Sequence, residues 1–261
     1  MSETYVTTRI EDRVGILTID RAAALNALDI ITLEALEAGF ASLAADPTVH
    51  VIVLTGAGDR AFVAGGDIAD LNSRQGLAHY LEFAEIIHRV LRQIELCDKP
   101  TISAINGWAL GGGTELLLAT DIRLAVETAQ LGLPEINLGI FPGAGGTQRI
   151  IRQIAPCKAR ELMFTGDRIT AAEALDLGLI NKVVPKDRLV EETLALAGRI
   201  ADKSPLVLKL LKRTLIHGSD MPLPSALAHE QAMIAVTLDT ADAHEGCSAF
   251  LEKRPAQFSG R

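Results

Sequence analysis

The sequence predicts an α/β fold that ends in a helical tail, and three observations predict it. Short strand-like apolar runs alternate with stretches of helical spacing through residue 203, as α/β construction requires. Some of those runs, such as Val51-Ile52-Val53-Leu54, are unbroken, which suits strands buried on both faces. From Ser204 onward the spacing is helical throughout. The expected organisation is a core over residues 1–203 and a helical region over 204–261.

The elements follow in order. Residues 5–10 and 14–19 read as two strands around the polar turn Glu11-Asp12-Arg13, a hairpin pattern. Residues 29–43 put Ile30, Leu33, Leu36, Phe40 and Leu43 at helical spacing. Residues 50–55, 100–105 and 122–126 read as buried strands, with a long helix expected over 76–96. Thr170 and Glu173 form a capping box that opens a short helix. Ser204-Pro205 pairs an N-cap residue with proline at the first helical position, and three successive helices are expected beyond it.

Composition narrows the function classes. A chain of 261 residues, 48% hydrophobic and 22% charged, is that of an ordinary globular protein with a substantial core. Lys and Arg number 25 against 33 Asp and Glu, a net charge of −8. That balance argues against a nucleic-acid surface and still permits an anionic ligand in a local pocket of opposite sign. Lys209, Lys212 and Arg213 are a short basic stretch at helical spacing and read as a solvated face. Cys97, Cys157 and Cys247 are odd in number, far apart and without a CxxC, so neither a disulfide framework nor a thiolate zinc site is expected. The six histidines are scattered, and His229-Glu230 lacks the second histidine of a zinc-binding HExxH; no metal is expected. No GxxxxGK[ST] or GxSxG occurs. Gly56-Ala57-Gly58-Asp59-Arg60-Ala61 imitates a dinucleotide fingerprint, but residues 62–66 do not continue as a helix. The first residues show no basic and apolar leader, and no apolar run approaches the ~20 residues of a membrane span. A cytoplasmic protein without membrane or nucleic-acid partners is expected.

Three glycine-rich segments carry the candidate chemistry. In the second, Gly111-Gly112-Gly113 runs straight into the helical pattern that starts with Glu115. Three glycines would weaken a helix interior by ~1 kcal/mol each, so a helix start is the economical reading. There the amides point outward unpaired and a ligand can approach closely. A thioester oxygen gaining negative charge could be held at such amides. Glu115 would lie beside it, on the same face of the first turn, or would simply be an acidic residue that suits a helix N-terminus. In the first segment, Gly65-Gly66 after a buried strand could supply a second amide; a plain connection with Asp67 as helix N-cap explains it equally. In the third, Glu135 follows Pro134 among Leu131, Leu133 and Ile136, and by itself reads as well as a solvated turn carboxylate. Two carboxylates in apolar settings are what general acid–base work uses, because their protonation states can be split.

Together the segments AALNAL, AFVAGGDI, INGWALGGGTELLLATDIRLA, LGLPEINLGIFPGAGGTQR, FTGDRITAAEAL, GLINKVV and FLEKRPAQFSGR resemble the crotonase (enoyl-CoA hydratase/isomerase) superfamily, over essentially the whole chain. Their order and spacing are far more specific than any one piece. The resemblance implies a spiral of ββα turns with a C-terminal helical trimerisation region, assembled as a trimer or a dimer of trimers. It implies an oxyanion hole at Gly66 and Gly112 and catalytic glutamates at Glu115 and Glu135, which add water to a 2-enoyl-CoA. It further implies that Ala24, Leu25, Ala64, Asp67 and Ile68 line the CoA, that Gly143 lies near the water, and that Phe258 can help to enclose an acyl tail. CoA is part of the substrate, so no cofactor is implied. Isomerase or other acyl-CoA lyase activity, and an RNA-binding relative, are the alternatives. Family members often read Arg-Pro-Lys-Ala-Leu-Asn where this chain has Arg21-Ala22-Ala23-Ala24-Leu25-Asn26. The lysine replaced by Ala23 leaves one contact to CoA open, with Lys253, Arg254 or a neighbouring subunit as substitutes.

Overall fold

The computed structural model describes residues 5–74 and 76–261. Strands β1 (Val6–Glu11) and β2 (Val14–Ile19) pair antiparallel with Glu11 opposite Val14. Asp12 takes φ 51° in the turn between them. A 3-10 turn over Ala22–Ala24 then leads into Leu25 and Asn26, which are both left-handed at φ 55° and 58°. That conformation is unfavourable for side chains other than glycine unless the surroundings hold it. Asn26 is held: it is buried, and its Nδ2 donates to the carbonyls of Ala57 and Ala61 at 3.0 and 2.8 Å. Its Oδ1 accepts from the Arg21 amide at 3.0 Å. Helix α1 (Ile30–Ala45) follows, capped by Asp29, and buries Leu33, Leu36, Phe40 and Leu43.

The chain then repeats one motion, in which a strand for a large sheet is followed by a short strand for a small sheet and by helix. First come β3 (Val51–Gly56), β4 (Ala61–Val63), α2 (Ile68–Ser73) and α3 (Leu77–Glu95). Next are β5 (Thr101–Ile105), β6 (Trp108–Leu110) and α4 (Gly112–Leu118). The third turn has β7 (Ile122–Val126), β8 (Gln130–Gly132), a 3-10 turn at Pro134–Leu138, α5 (Gly146–Gln153) and α6 (Pro156–Thr165). The last holds β9 (Arg168–Thr170), α7 (Ala171–Asp176), β10 (Lys182–Val184) and α8 (Leu189–Ala201).

The large sheet has the order β1-β2-β3-β5-β7-β10 and the small one β4-β6-β8-β9. Pairing is parallel from β2 to β10 and from β4 to β8. The spiral of ββα turns is therefore present. The long strands match the sequence expectation, whereas the three-residue strands β4, β6 and β8 to β10 are too short to leave a periodic signal.

Buried Arg123 joins the turns: it donates to the carbonyls of Leu117, Leu118 and Thr120 at the end of α4, and to that of Leu179. Burial lowers its pKa to about 10, so it stays charged at neutral pH.

Helices α9 (Pro205–Ser219), α10 (Leu223–Leu238) and α11 (Ala241–Glu252) complete the chain. Ser204 caps α9 as expected, its Oγ accepting from the Val207 amide at 3.2 Å. The Lys209–Arg213 face is not simply solvated. Lys209 and Arg213 both pair with Asp98, while buried Lys212 donates to Asp121 at 2.7 Å and to the Lys99 carbonyl. These contacts tie α9 to the core. Helix α10 buries none of its residues, and Leu223, Leu227, Ile234, Val236 and Leu238 are exposed. Among the described residues no helix is long and apolar enough to cross a membrane.

Removing the Asn26 amide withdraws a donor from two carbonyls, and an unsatisfied buried group costs about 1–3 kcal/mol. Asn26→Ala should therefore lose about 2–5 kcal/mol of unfolding free energy in urea, by a lowered midpoint at constant slope.

Candidate active site

The spiral brings the three glycine-rich segments together. Leu28 forms a parallel bridge with Gly66, donating to the Gly65 carbonyl at 2.9 Å and accepting from the Asp67 amide at 2.8 Å. Leu28 thus bonds the neighbours of Gly66, and the Gly66 N–H points to the opposite side of the strand. Gly112 opens α4, so its own N–H has no partner within the helix. A Cβ on Gly112 would lie 3.6 Å from the Gly66 nitrogen, so the two donors are neighbours. The approach depends on Gly113, where a Cβ would come within 2.0 Å of the Val63 carbonyl oxygen.

Glu115 is buried in the first turn of α4, 3% exposed. Its Oε1 accepts from the amides of Ala144 and Gly146 at 2.7 and 2.8 Å. Burial raises its pKa, opposed by those amides and by the charge of Arg149. Glu135 sits in the 3-10 turn after β8, and its Oε2 is buried without a hydrogen-bond partner. Burial above all pushes its pKa up to about 7; its own amide opposes the rise and the Glu115 charge adds to it. The two carboxylates thus differ in support: one has two main-chain donors and a nearby cation, the other only its own amide. The solvated-turn reading of Glu135 is overturned.

Gly66, Gly112, Glu115, Glu135 and Gly143 line one cavity of about 70 Å³, walled by Tyr80, Phe83, Ile87 and Phe141. A Cβ on Gly143 would lie 2.9 Å from the Tyr80 hydroxyl. A roomier cavity of about 320 Å³ lies between α8 and the large sheet beside Ile16, Val53 and Leu189. It contains neither glutamate nor the glycine donors, so the smaller cavity is where proton transfer can occur.

The remaining candidates lie along a neighbouring edge. Ala24 and Leu25 adjoin Ala64, whose amide donates to the Leu25 carbonyl at 3.1 Å. Asp67 caps α2, with Oδ1 accepting from Ala69 and Asp70 while Oδ2 pairs with Arg21 at 3.0 Å. Its carboxylate is therefore fully engaged within the protein. Ile68 is exposed beside it. Arg254 is held by Glu245 and Glu252, which weakens it as a substitute for the lysine missing at Ala23. Phe258 lies against Gly246 of α11, and no residue beyond Ser204 lines the glutamate cavity within this chain.

Sequence reasoning missed the amides of Ala144 and Gly146 and the Arg149–Glu95 ion pair behind them. In that pair Nε and Nη2 of Arg149 each donate to Glu95 at 2.9 Å. The signal was present in Gly143-Ala144-Gly145-Gly146, a glycine run that faces another residue's carboxylate.

A protein of this fold with one buried and one half-buried carboxylate beside paired main-chain donors belongs to a class suited to acid–base work on a developing oxyanion. Residues 9–261 match the family model described as enoyl-CoA hydratase/isomerase, and the chain belongs to that family. It is 41% identical to a crotonyl-CoA hydratase of Syntrophomonas wolfei over 95% of each chain. It is 39% identical to a short-chain-enoyl-CoA hydratase of Clostridium acetobutylicum, over 94% of this chain and 93% of the relative. The crystal structure of an enoyl-CoA hydratase from Bacillus anthracis superposes with a TM-score of 0.95 at 36% identity, covering 98% of this chain and 100% of that one.

A carboxyl whose folded pKa exceeds its unfolded one keeps a proton that the unfolded chain releases. The contribution of Glu135 to stability is therefore fully present below about 4.5 and is lost as pH rises to about 7. Thermal unfolding across that range should show the decline in the wild type, and Glu135→Gln should flatten it and raise the melting temperature at pH 8.

Proposed function

We propose that this chain is an enoyl-CoA hydratase, a hydro-lyase that adds water reversibly and syn across the double bond of a 2-trans-enoyl-CoA to give a 3-hydroxyacyl-CoA. The observation that carries the reading is the unequal environment of Glu115 and Glu135 in one cavity. Two carboxyls that close hold one proton between them more readily than none. The proton belongs on Glu135, whose Oε2 lacks a donor, and the charge on Glu115, which has two amides.

In the reaction, Glu115 takes a proton from water as the water oxygen bonds to C3. The C2–C3 π electrons move towards the thioester, whose oxygen becomes an enolate held by the Gly66 and Gly112 amides. The enolate collapses as C2 takes the proton of Glu135. The proton gained by Glu115 then passes to Glu135, so atoms and charge balance with no cofactor beyond the CoA of the substrate. Ala24, Leu25, Ala64, Asp67 and Ile68 fit the CoA side, where the Asp67–Arg21 pair also braces the loop. Gly143 leaves space beside the water. The exposed apolar side chains of α10 support a further part of the proposal, a trimer or dimer of trimers built through the helices after Ser204.

Purified protein should hydrate crotonyl-CoA, read as loss of the conjugated enoyl absorbance. Glu115→Gln and Glu135→Gln should each lower kcat by about 10²–10⁴-fold with folding intact, the range general acid–base groups supply. Because the acid must be protonated, kcat/KM should fall as pH rises above about 7. Undiminished hydration by both variants would remove these side chains from the mechanism. A parallel assay with 3-enoyl-CoA esters separates isomerase from hydratase activity.

A further inference from the structure

The loop that grips Glu115 is itself gripped. Gly145, between the two donating amides, has φ 98°, and a Cβ there would lie 2.2 Å from Nη1 of Arg149. The loop wraps the guanidinium, which donates through Nη1 to the Ala144 carbonyl at 3.0 Å. The other edge of the guanidinium meets Glu95, the last residue of α3, in a two-pronged pair. Arg149 is only 14% exposed at its side chain, and Glu95 33%, so solvent screens the pair less than one on the open surface. The loop is also tight on its far side: a Cβ on Gly146 would lie 2.9 Å from both Cγ and Oε1 of Glu115. Every contact from α3 to the carboxylate is thus short and directional.

From this chain of contacts we propose that Arg149, oriented by Glu95, is a positioning residue that aims the Ala144 and Gly146 amides at Glu115 and sets the pH at which Glu115 can act as base. The inference rests on the role given to Glu115 under the proposed function. Arg149 acts twice. Nη1 holds the loop at the Ala144 carbonyl while Nε and Nη2 anchor the guanidinium on Glu95, and its positive charge favours the ionised form of Glu115. Glu95 opposes the second action and enforces the first, because its negative charge offsets the guanidinium while its two oxygens fix the plane. Arg92 and Lys212 act on Glu95 from α3 and α9, and the charge facing Glu115 across the cavity is that of Glu135. A lysine at 149 would keep the charge but could not reproduce the planar fork.

The two residues therefore predict opposite movements of the acid limb of kcat/KM for crotonyl-CoA hydration. Arg149→Met should lower kcat by about 10- to 100-fold with KM little changed, the scale of a catalytic group misplaced by about 1 Å. It should move the acid limb to higher pH, because the charge that favours ionised Glu115 is gone. Arg149→Lys should lower kcat similarly but leave the limb near its wild-type position. Glu95→Gln should move the limb down, because the guanidinium charge is no longer offset. Arg89→Met serves as a control, since it breaks an exposed ion pair with Glu37 elsewhere on α3 and should alter neither kcat nor the limb.

Should Arg149→Met not yield folded protein, an unmoved limb with lowered kcat in Arg149→Lys and a lowered limb in Glu95→Gln decide the matter. Lower melting temperatures with unmoved pH profiles and unchanged kcat would reduce the pair to a structural brace and overturn the proposal. That result, combined with an inactive Glu115→Gln, leaves the hydratase mechanism standing. An active Glu115→Gln instead removes the mechanism on which the proposal rests.

Discussion

The passage of α4 past the end of β4 is the constraint on which the site depends. Gly113 lies so near the Val63 carbonyl that no side chain fits between them. The contact presses the start of α4 against the loop after β4, and so makes neighbours of two amides that are 46 residues apart in sequence, at Gly66 and Gly112. Leu28 then fastens the opposite side of that loop through main-chain bonds to Gly65 and Asp67, and Asn26 holds the connection from β3 into β4 through side-chain bonds to Ala57 and Ala61. Packing and main-chain bonds place both amides without any contribution from a ligand. Preorganised dipoles of this kind need no rearrangement when charge develops, which is the main electrostatic advantage an enzyme has over water.

Burial raises both carboxyls. Their inequality comes from local main chain: a glycine loop turns two N–H groups on Glu115, whereas the 3-10 turn offers Glu135 no donor beyond its own amide. In the proposed mechanism, base and acid are thus assigned by backbone conformation more than by residue type. A wet cavity would erase the distinction by supplying donors to both, so the apolar wall from α3 and Phe141 is part of the same electrostatic arrangement.

The sequence made some of this legible, and the limits have physical causes. The hairpin, α1, α3 and the long strands β3, β5 and β7 were readable because each carries several buried positions in a regular period. The strands of the small sheet have three residues each, less than two periods of alternation, and only tertiary pairing defines them. Glu115 was legible because glycines that run into a helix demand an explanation. Glu135 was not legible without the family resemblance, since a lone carboxylate after proline is common in solvated turns. The partnership of Arg149 and Glu95 spans 54 residues and follows no local rule. Lys212 escaped for a related reason: its spacing suggested an open face, and its burial depends on Asp121, which lies in a different turn of the spiral.

The Tyr80–Gly143 pinch gives the small cavity a meaning of its own. At about 70 Å³ it has room for a few waters, well short of the ~300–1,000 Å³ of ordinary ligand pockets. In the proposed hydratase the acyl group would pass between the first turn of α3, at Tyr80, and Phe141. Phe83, Ile87 and Phe141 make that wall apolar, so a tail seated there would exchange water for side-chain contact, and a longer tail would cover more of it. On that reading chain-length preference depends on wetting along a seam as well as on the outline of a mould.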